Sequence, residues 1–220
     1  MIKAVVFDLD GVIIESAEIK TRAFELLFAD YPDKIREIIA YHERNAGISR
    51  YLKFNYIYKK ILNQDLTATK EFELGERFSE IVLNEVLEAP LVPGTEQFLN
   101  QNKERYFFFI ASGTPEQELQ NIVARRGLAH FFREICGTPK LKENIIKDIL
   151  DKYSLEKEQV VFVGDAESDR IAANAADVCF IARIGPGSNQ LQDCCWKINN
   201  LIELHTTLGN INSGKENDTR

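Results

Sequence analysis

Near its start the chain reads Ala4-Val5-Val6-Phe7-Asp8-Leu9-Asp10-Gly11-Val12-Ile13-Ile14, an apolar run that leads into two carboxylates and a glycine. Valine and phenylalanine favour strands, and a short apolar run bounded by glycine is typical of a buried strand. Asp8 and Asp10 are two residues apart, so in an extended chain both side chains leave the same face. Open α/β sheets bind ligands at the carboxyl ends of their strands. The pair therefore predicts a site for a divalent cation such as Mg²⁺, although an ordinary Asp-Gly turn is the alternative.

The composition is that of a globular protein without a basic surface. The chain has 220 residues, of which 45% are hydrophobic, and a formal net charge of −7. This balance argues against a nucleic-acid binder, which needs a basic face. Because Asp8 and Asp10 interrupt the first apolar run, we expect neither a signal peptide nor a membrane span. The four cysteines lack metal-ligand spacing, so we expect reduced thiols in a cytoplasmic protein, which we take to be a monomer or a weak dimer.

Residues 15–90 show the periodicity of helices. Apolar side chains recur there at three- and four-residue steps, and no convincing strand pattern interrupts them. We therefore expect residues 15–90 to form an inserted all-helical subdomain of four or five helices. The polar residues 209–220 are expected to be a disordered tail.

From residue 91 onward, strand patterns alternate with helix patterns. Strands are expected at Tyr106–Ala111, Ile135–Cys136, Val160–Gly164 and Val178–Ile181, with an edge strand at Trp196–Ile198. Such alternation predicts a parallel sheet with helices on both faces. The expected fold class is therefore α/β, with a Rossmann-like core formed by residues 1–14 and 91–208 and the helical insert as a cap subdomain.

The end of the second expected strand carries a small polar motif. Ser112 and Gly113 offer a hydroxyl and a glycine amide between a strand and a helix, which can cradle a phosphate. Thr114 and Pro115 are expected to start the next helix, with Gln117 completing a capping box. Taken alone, an ordinary strand-to-helix turn explains this segment equally well.

The next two strand ends add a lysine loop and a second carboxylate pair. The loop Gly137–Lys142 contains Lys140 and Lys142, either of which could offset the charge of a phosphate, although most lysines lie at the surface. Asp165 and Asp169 are four residues apart, on one side of a helical turn, where they suit Mg²⁺. Independent turns would rarely place complementary phosphate chemistry at four strand ends, so the set predicts one phosphate site with a cation.

These four segments resemble the four motifs of the haloacid dehalogenase superfamily. The matching residues are Phe7–Val12, Ala111–Thr114, Gly137–Lys142 and Gly164–Asp169. The helical insert resembles the C1 cap of the phosphoglycolate phosphatase and β-phosphoglucomutase branches. In the third motif Lys142 fits better than Lys140, since a Gly-x-Pro-x-x-Lys spacing leads into a helix.

The resemblance implies phosphoryl transfer through an aspartyl phosphate. Asp8 would be the nucleophile, and Asp10 would protonate the leaving oxygen and then deprotonate the attacking water. Lys142 would neutralise charge beside Asp8. The dehalogenase branch lacks an aspartate at the position of Asp10, because a halide leaves without a proton, so Asp10 favours phosphate chemistry.

The resemblance also implies a cofactor and a small phosphorylated substrate. The ligands of Mg²⁺ would be the Asp8 carboxylate, the Asp10 main-chain carbonyl and Asp165, supported by Asp169. The Ser112 hydroxyl and the Gly113 amide would hold phosphate oxygens.

The segment His42–Lys53 is the expected substrate-contacting loop of the cap. Its glycine break lies next to Arg50 and Lys53, which could meet an anionic or sugar-like substrate. Solvent-facing cations at helix ends are the alternative, and His42 is expected at the surface. The expected function is a Mg²⁺-dependent phosphatase for a small metabolite, with a phosphosugar as one candidate. A sugar phosphomutase and a non-catalytic module on the same fold are the alternatives.

Overall fold

The computed structural model describes residues 1–185 and 190–214. Its strands are β1 (Ala4–Phe7), β2 (Phe107–Pro115), β3 (Phe132–Thr138), β4 (Val160–Gly164), β5 (Cys179–Arg183) and β6 (Lys197–Ile198). Within the described residues they form one sheet in the order β3-β2-β1-β4-β5-β6, and each neighbouring pair is parallel. The first strand is therefore central, and its carboxyl end lies in the middle of one edge of the sheet.

Helices connect the strands and also form the insert. Their bounds are α1 (Ala17–Leu27), α2 (Ile35–Arg44), α3 (Arg50–Tyr56), α4 (Ala68–Glu88), α5 (Thr95–Asn102), α6 (Glu116–Arg125), α7 (Lys142–Lys152), α8 (Glu167–Ala175) and α9 (Leu204–Asn212). A π-helical turn, Ile57–Leu62, continues α3. Among the described helices, none combines the length and the apolar character that a membrane crossing requires.

The central strand is buried on both faces, which explains its unbroken apolar sequence. Val5 and Phe7 belong to one hydrophobic cluster, whereas Ala4 and Val6 belong to a second cluster that includes residues of α7 and α8. Phe7 is also packed edge-on by three aromatic rings, those of Phe98, Phe108 and Phe132. This packing holds β1 in place and so fixes the position of the residues that directly follow it.

The insert joins the core through two adjacent chain crossings. The amide of Glu15 donates to the carbonyl of Pro90, and the amide of Val92 donates to that of Ile13, each at 3.0 Å. Phenylalanines of three insert helices, among them Phe24, belong to the same hydrophobic cluster as Phe7. The insert is thus packed continuously onto the core below it.

Several expected boundaries differ from the structure, among them those of the third strand, which spans Phe132–Thr138 where Ile135–Cys136 was expected. The second strand continues past Ala111 to Pro115, so Thr114 lies in the strand extension and does not cap α6, which begins at Glu116. The helix α9 runs to Asn212, so the tail expected from residue 209 is helical at its start. Residues 215–220 of that tail lie outside the described residues.

Candidate active site

A buried lysine links two carboxylates at the carboxyl edge of the sheet. Asp8 directly follows β1 and is 2% exposed. Lys142, at the start of α7, donates from Nζ to Asp8 Oδ2 at 2.7 Å and to Asp169 Oδ1 at 2.6 Å. Lys140 lies at the surface and pairs with Asp148, so the structure places Lys142 as the lysine of the site.

The carboxylate pair after β4 completes an acidic cluster. Oxygen atoms of Asp8, Asp165 and Asp169 all lie within 4.8 Å of one another. The other oxygen of Asp169 accepts from the amides of Asp165 and Ala166 at 3.2 and 3.1 Å, so both oxygens of Asp169 are engaged. Gly11 permits the close approach of Asp165, because a Cβ there would lie 2.0 Å from Asp165 Oδ2.

The cluster carries more negative charge than its lysine balances. Burial raises the pKa of Asp8 to about 6, against the opposing effect of Lys142. Burial also raises the pKa of Asp165 well above its usual value, and the charges of Asp169 and Asp8 add to this effect. Three carboxylates around one ammonium group therefore fit an additional hard cation with oxygen ligands, which is the chemistry of Mg²⁺.

Asp10 lies outside this cluster and has its own hydrogen-bond donors. Its carboxylate accepts from Ser16 Oγ at 2.6 Å, from Thr114 Oγ1 at 3.2 Å and from Lys20 Nζ. Burial alone would raise the pKa of Asp10, but the charge of Lys20 and these hydrogen bonds outweigh it and lower the pKa. Sequence reasoning missed Ser16 and Lys20, although their spacing of four residues at the start of α1 was a usable signal.

The cap loop lies directly over the expected phosphate cradle. Ser112 is buried, and its hydroxyl accepts from the Thr114 amide at 3.2 Å. A Cβ on Gly113 would lie 2.4 Å from the carbonyl oxygen of Gly47, so only glycine fits beneath the loop. Ser168 of the core also donates to the carbonyl of Ala46 at 2.8 Å. The cap is therefore closed over the core.

Arg50 forms a buried ionic contact between the cap and the core, which we call the clasp. Its Nη2 atom lies 2.6 Å from Glu118 Oε1 on α6, and its Nη1 atom donates to Ser79 Oγ on α4 at 2.7 Å. Ser79 in turn donates to the second oxygen of Glu118 at 2.6 Å. The guanidinium also lies over the Phe78 ring. Arg50 is thus not a solvent-facing cation.

Lys53 and His42 form a second buried pair in the cap. Lys53 Nζ lies 3.1 Å from His42 Nδ1 and 3.3 Å from the His42 carbonyl oxygen. The expectation that His42 lies at the surface is wrong, because its ring packs on Phe24 at a centroid distance of 4.1 Å and the residue is buried. Sequence reasoning missed the burial of His42 because the turn between α2 and α3 brings His42 and Lys53 together in the interior.

A cavity of about 690 Å³ lies between cap and core. Its walls include the core residues Asp8, Asp10, Ser112 and Asp165 and the cap residues Arg50 and Lys53. The structure therefore brings these core residues, which were expected from the sequence, to one site, and Arg50 and Lys53 of the cap line the same cavity. A volume of this order is typical of small-molecule sites.

Comparison with known proteins agrees with this geometry. The sequence profile of haloacid dehalogenase-like hydrolases matches residues 2–177. Phosphoglycolate phosphatase of Aliivibrio fischeri (strain ATCC 700601 / ES114) is 29% identical over 185 residues, which are 80% of this chain and 81% of that protein. Its counterpart in Haemophilus influenzae (strain 86-028NP) is 28% identical over 199 residues, 85% and 87% of the two chains.

A solved structure shares the fold. The crystal structure of β-phosphoglucomutase from Clostridium difficile aligns with a TM-score of 0.80 at 19% identity, over 97% of this chain and 99% of that chain. This likeness concerns the architecture alone, whereas the profile match extends over most of the sequence and includes both carboxylate pairs of the site. The chain therefore belongs to the haloacid dehalogenase-like hydrolases.

Proposed function

We propose that this protein, a phosphatase of the haloacid dehalogenase-like family, uses Mg²⁺ to hydrolyse a small phosphorylated metabolite by transferring the phosphoryl group to Asp8. The single observation that carries the proposal is the arrangement of Lys142 between Asp8 and Asp169, beside Asp165 and below a closed cap. We also propose that the enzyme works in the cytoplasm as a monomer or weak dimer, in keeping with four cysteines that form no disulfide bond in the described residues.

The reaction proceeds in two steps, each with a defined role for Asp8 and Asp10. In the first, a carboxylate oxygen of Asp8 bonds to phosphorus while the ester P–O bond breaks, and Asp10 protonates the departing alkoxide. In the second, Asp10 takes a proton from water, which attacks phosphorus and releases Asp8. Lys20 keeps Asp10 ionised in the free protein, which suits the second step. An arriving phosphate dianion raises the pKa of Asp10 and so favours proton uptake for the first step.

The other site residues hold the phosphoryl group and the cation. Bound Mg²⁺ supplies charge neutralisation on the transferring phosphoryl group. Asp8, Asp165 and the Asp10 main-chain carbonyl are its proposed ligands. Asp169, both of whose oxygens are already engaged, positions Lys142 and the first turn of α8. The Ser112 hydroxyl and the Gly113 amide are the proposed donors to phosphate oxygens.

A panel of phosphorylated metabolites tests the proposed function. The panel includes phosphoglycolate, the compound named for the relatives, and several phosphosugars, each incubated with Mg²⁺ or with EDTA. Release of inorganic phosphate only with Mg²⁺ is the expected result. Formation of an isomeric sugar phosphate with little free phosphate would instead indicate a phosphomutase, which the same residues can support. No product of either kind would leave the non-catalytic alternative.

Mg²⁺ is expected to raise the melting temperature of the metal-free protein, and more at pH 7.5 than at pH 5. The pKa of Asp8 rises from 3.8 to about 6 on folding, so the folded protein holds its proton more tightly than the unfolded chain does. The contribution of Asp8 to stability therefore falls as the pH rises from about 4 to 6, and a bound cation offsets this loss above pH 6. Differential scanning fluorimetry with Mg²⁺ or EDTA measures both effects.

The ligand set is checked with two aspartate variants. Asp165→Asn should remove most of the Mg²⁺-dependent increase in melting temperature. Asp151→Asn, an exposed position on α7, should leave the increase intact. An unchanged increase in the Asp165 variant would contradict the proposed ligand.

Breaking the clasp is expected to weaken substrate binding, because the closed position of the cap becomes less stable. Glu118→Gln removes the charge that Arg50 faces, and we expect KM to rise by about tenfold, which corresponds to about 1.4 kcal/mol of closure free energy. If Arg50 instead bound the substrate directly, releasing it from Glu118 would lower KM. Steady-state kinetics separate these results, with Glu96→Gln, an exposed glutamate of α5, as the matched control.

A further inference from the structure

Arg183, at the carboxyl end of β5, contacts both ends of the turn that follows Asp10, residues 11–15. The arginine is 4% exposed and lines the cavity between cap and core. Its Nη1 atom donates to the carbonyl of Gly11 at 3.2 Å and to Glu15 Oε2 at 3.0 Å, and its Nη2 atom donates to Glu15 Oε1 at 2.5 Å. Its Nε atom donates to the carbonyl of Asn199, directly after β6, at 3.1 Å. Arg183 therefore fixes both ends of the turn to the sheet.

This turn determines where one oxygen of the Asp10 carboxylate lies. The main chain closes the turn with a hydrogen bond of 2.8 Å between its first and fourth residues. Ser16 directly follows the turn, and its hydroxyl donates to Asp10 Oδ1 at 2.6 Å. Lys20 and Thr114, by contrast, both donate to Oδ2. The position of Oδ1 therefore depends on the turn, and through the turn on the guanidinium group that holds it.

The hydrogen bonds of Arg183 suit a role in positioning better than a role in binding substrate. A guanidinium group has five N–H donors, and four of them serve Gly11, Glu15 and Asn199. Both oxygens of Glu15 are bound, and this bidentate geometry fixes the orientation of the pair as well as its distance. Because Glu15 balances the charge of Arg183, the pair affects the site through geometry.

We propose that Arg183, together with Glu15, is a positioning residue for Asp10 in general acid catalysis. The inference rests on the proposed function, in which the proton of Asp10 passes to the leaving oxygen as the bond from that oxygen to phosphorus breaks. Arg183 acts through the turn and not by contact with the substrate. If the turn shifts, the Asp10 carboxyl group moves away from the leaving oxygen, and proton transfer becomes slower.

Aryl phosphates whose leaving groups differ in basicity test this role. Phenyl phosphate needs a proton on its leaving oxygen more than p-nitrophenyl phosphate does, because p-nitrophenolate is the more stable anion. We choose kcat/KM because it covers the steps up to release of the phenol, in which Asp10 is the acid. In Arg183→Met, this value should fall by about 100-fold for phenyl phosphate and by no more than about tenfold for p-nitrophenyl phosphate. Lost folding or lost substrate binding would lower both values by the same factor.

Related variants show whether the pair acts as a unit. Arg183→Lys and Glu15→Gln should change the ratio of the two kcat/KM values in the same direction but less, because each retains part of the contact. Adding Glu15→Gln to Arg183→Met should have little further effect. Arg22→Met, which breaks an exposed ion pair with Glu85, is the matched control and should leave the ratio unchanged. Circular dichroism establishes that each variant is folded. Should Arg183→Met fail to fold, Arg183→Lys and Glu15→Gln carry the same comparison.

Amide hydrogen exchange tests the inference without catalysis. In Arg183→Met, a peptide covering residues 11–16 should exchange at least about tenfold faster than in the parent protein, whereas Arg22→Met should leave its exchange unchanged. An unchanged ratio of the two kcat/KM values, or unchanged exchange of this peptide, would overturn the positioning role. Failure of the parent protein to hydrolyse any phosphate ester would refute the proposed function and with it the role in proton donation. The exchange data would then still show whether Arg183 holds the turn.

Discussion

Asp8→Asn is expected to reduce the rate of phosphate release by about 10,000-fold or more, the scale seen when a catalytic nucleophile is removed. Asparagine has nearly the same shape as aspartate, so the packing at the end of β1 is retained. A neutral carboxamide is a poor nucleophile for phosphorus, however, and it cannot form the aspartyl phosphate. Release of p-nitrophenol from its phosphate ester, measured with Mg²⁺ at saturating substrate, gives the rate whichever metabolite is the natural substrate.

Two controls make this result specific to the nucleophile. Asp151→Asn removes a carboxylate from the exposed face of α7 and should leave the rate unchanged. Acid-quenched mass spectrometry should detect a phosphorylated peptide containing Asp8 in the parent protein and not in the Asp8 variant. An Asp8→Asn protein as fast as the parent would refute the proposed mechanism.

The core residues of the site could be predicted because each is recognised from the few residues around it in the sequence. Asp8 and Asp165 each follow an apolar strand, and Ser112 follows the apolar segment of β2. Parallel topology brings the carboxyl ends of such strands to one edge of the sheet. No long-range contact had to be known to place them together. The same reasoning predicted the alternation of strands and helices, because burial on both faces imposes apolar runs on the strands.

The cap contacts could not be predicted because they depend on how two subdomains meet. Arg50 and Glu118 are 68 residues apart, and neither position shows a local pattern that identifies the other. Thr114 illustrates a different limit. Its type and spacing fit a helix cap, but β2 continues through it and its hydroxyl donates to Asp10 instead. Local propensity was outweighed by a tertiary hydrogen bond.

The local sequence also did not decide between Lys140 and Lys142, because their burial depends on the tertiary structure. Replacing the buried lysine is expected to have the second large effect, a loss of stability. Both lysines lie in one loop of the sequence, yet the first is 42% exposed and the second 7% exposed. Lys142→Met should lower the free energy of unfolding by about 3–5 kcal/mol in EDTA, because it leaves Asp8 and Asp169 as buried charges without their cation. Lys140→Met should cost no more than about 1 kcal/mol, since its pair with Asp148 is exposed to solvent.

The pH dependence of this loss identifies its cause. Without Lys142, the pKa of Asp8 in the folded protein rises further above that of the unfolded chain, so folding takes up a proton and stability falls as the pH increases. Urea unfolding in EDTA should therefore show a large difference between parent and Lys142→Met at pH 7.5 and a smaller one at pH 5. Asp169→Asn in the Lys142 variant should restore part of the stability by removing one repelling charge. A loss that is equal at both pH values would indicate lost packing of the lysine chain instead of uncompensated carboxylates.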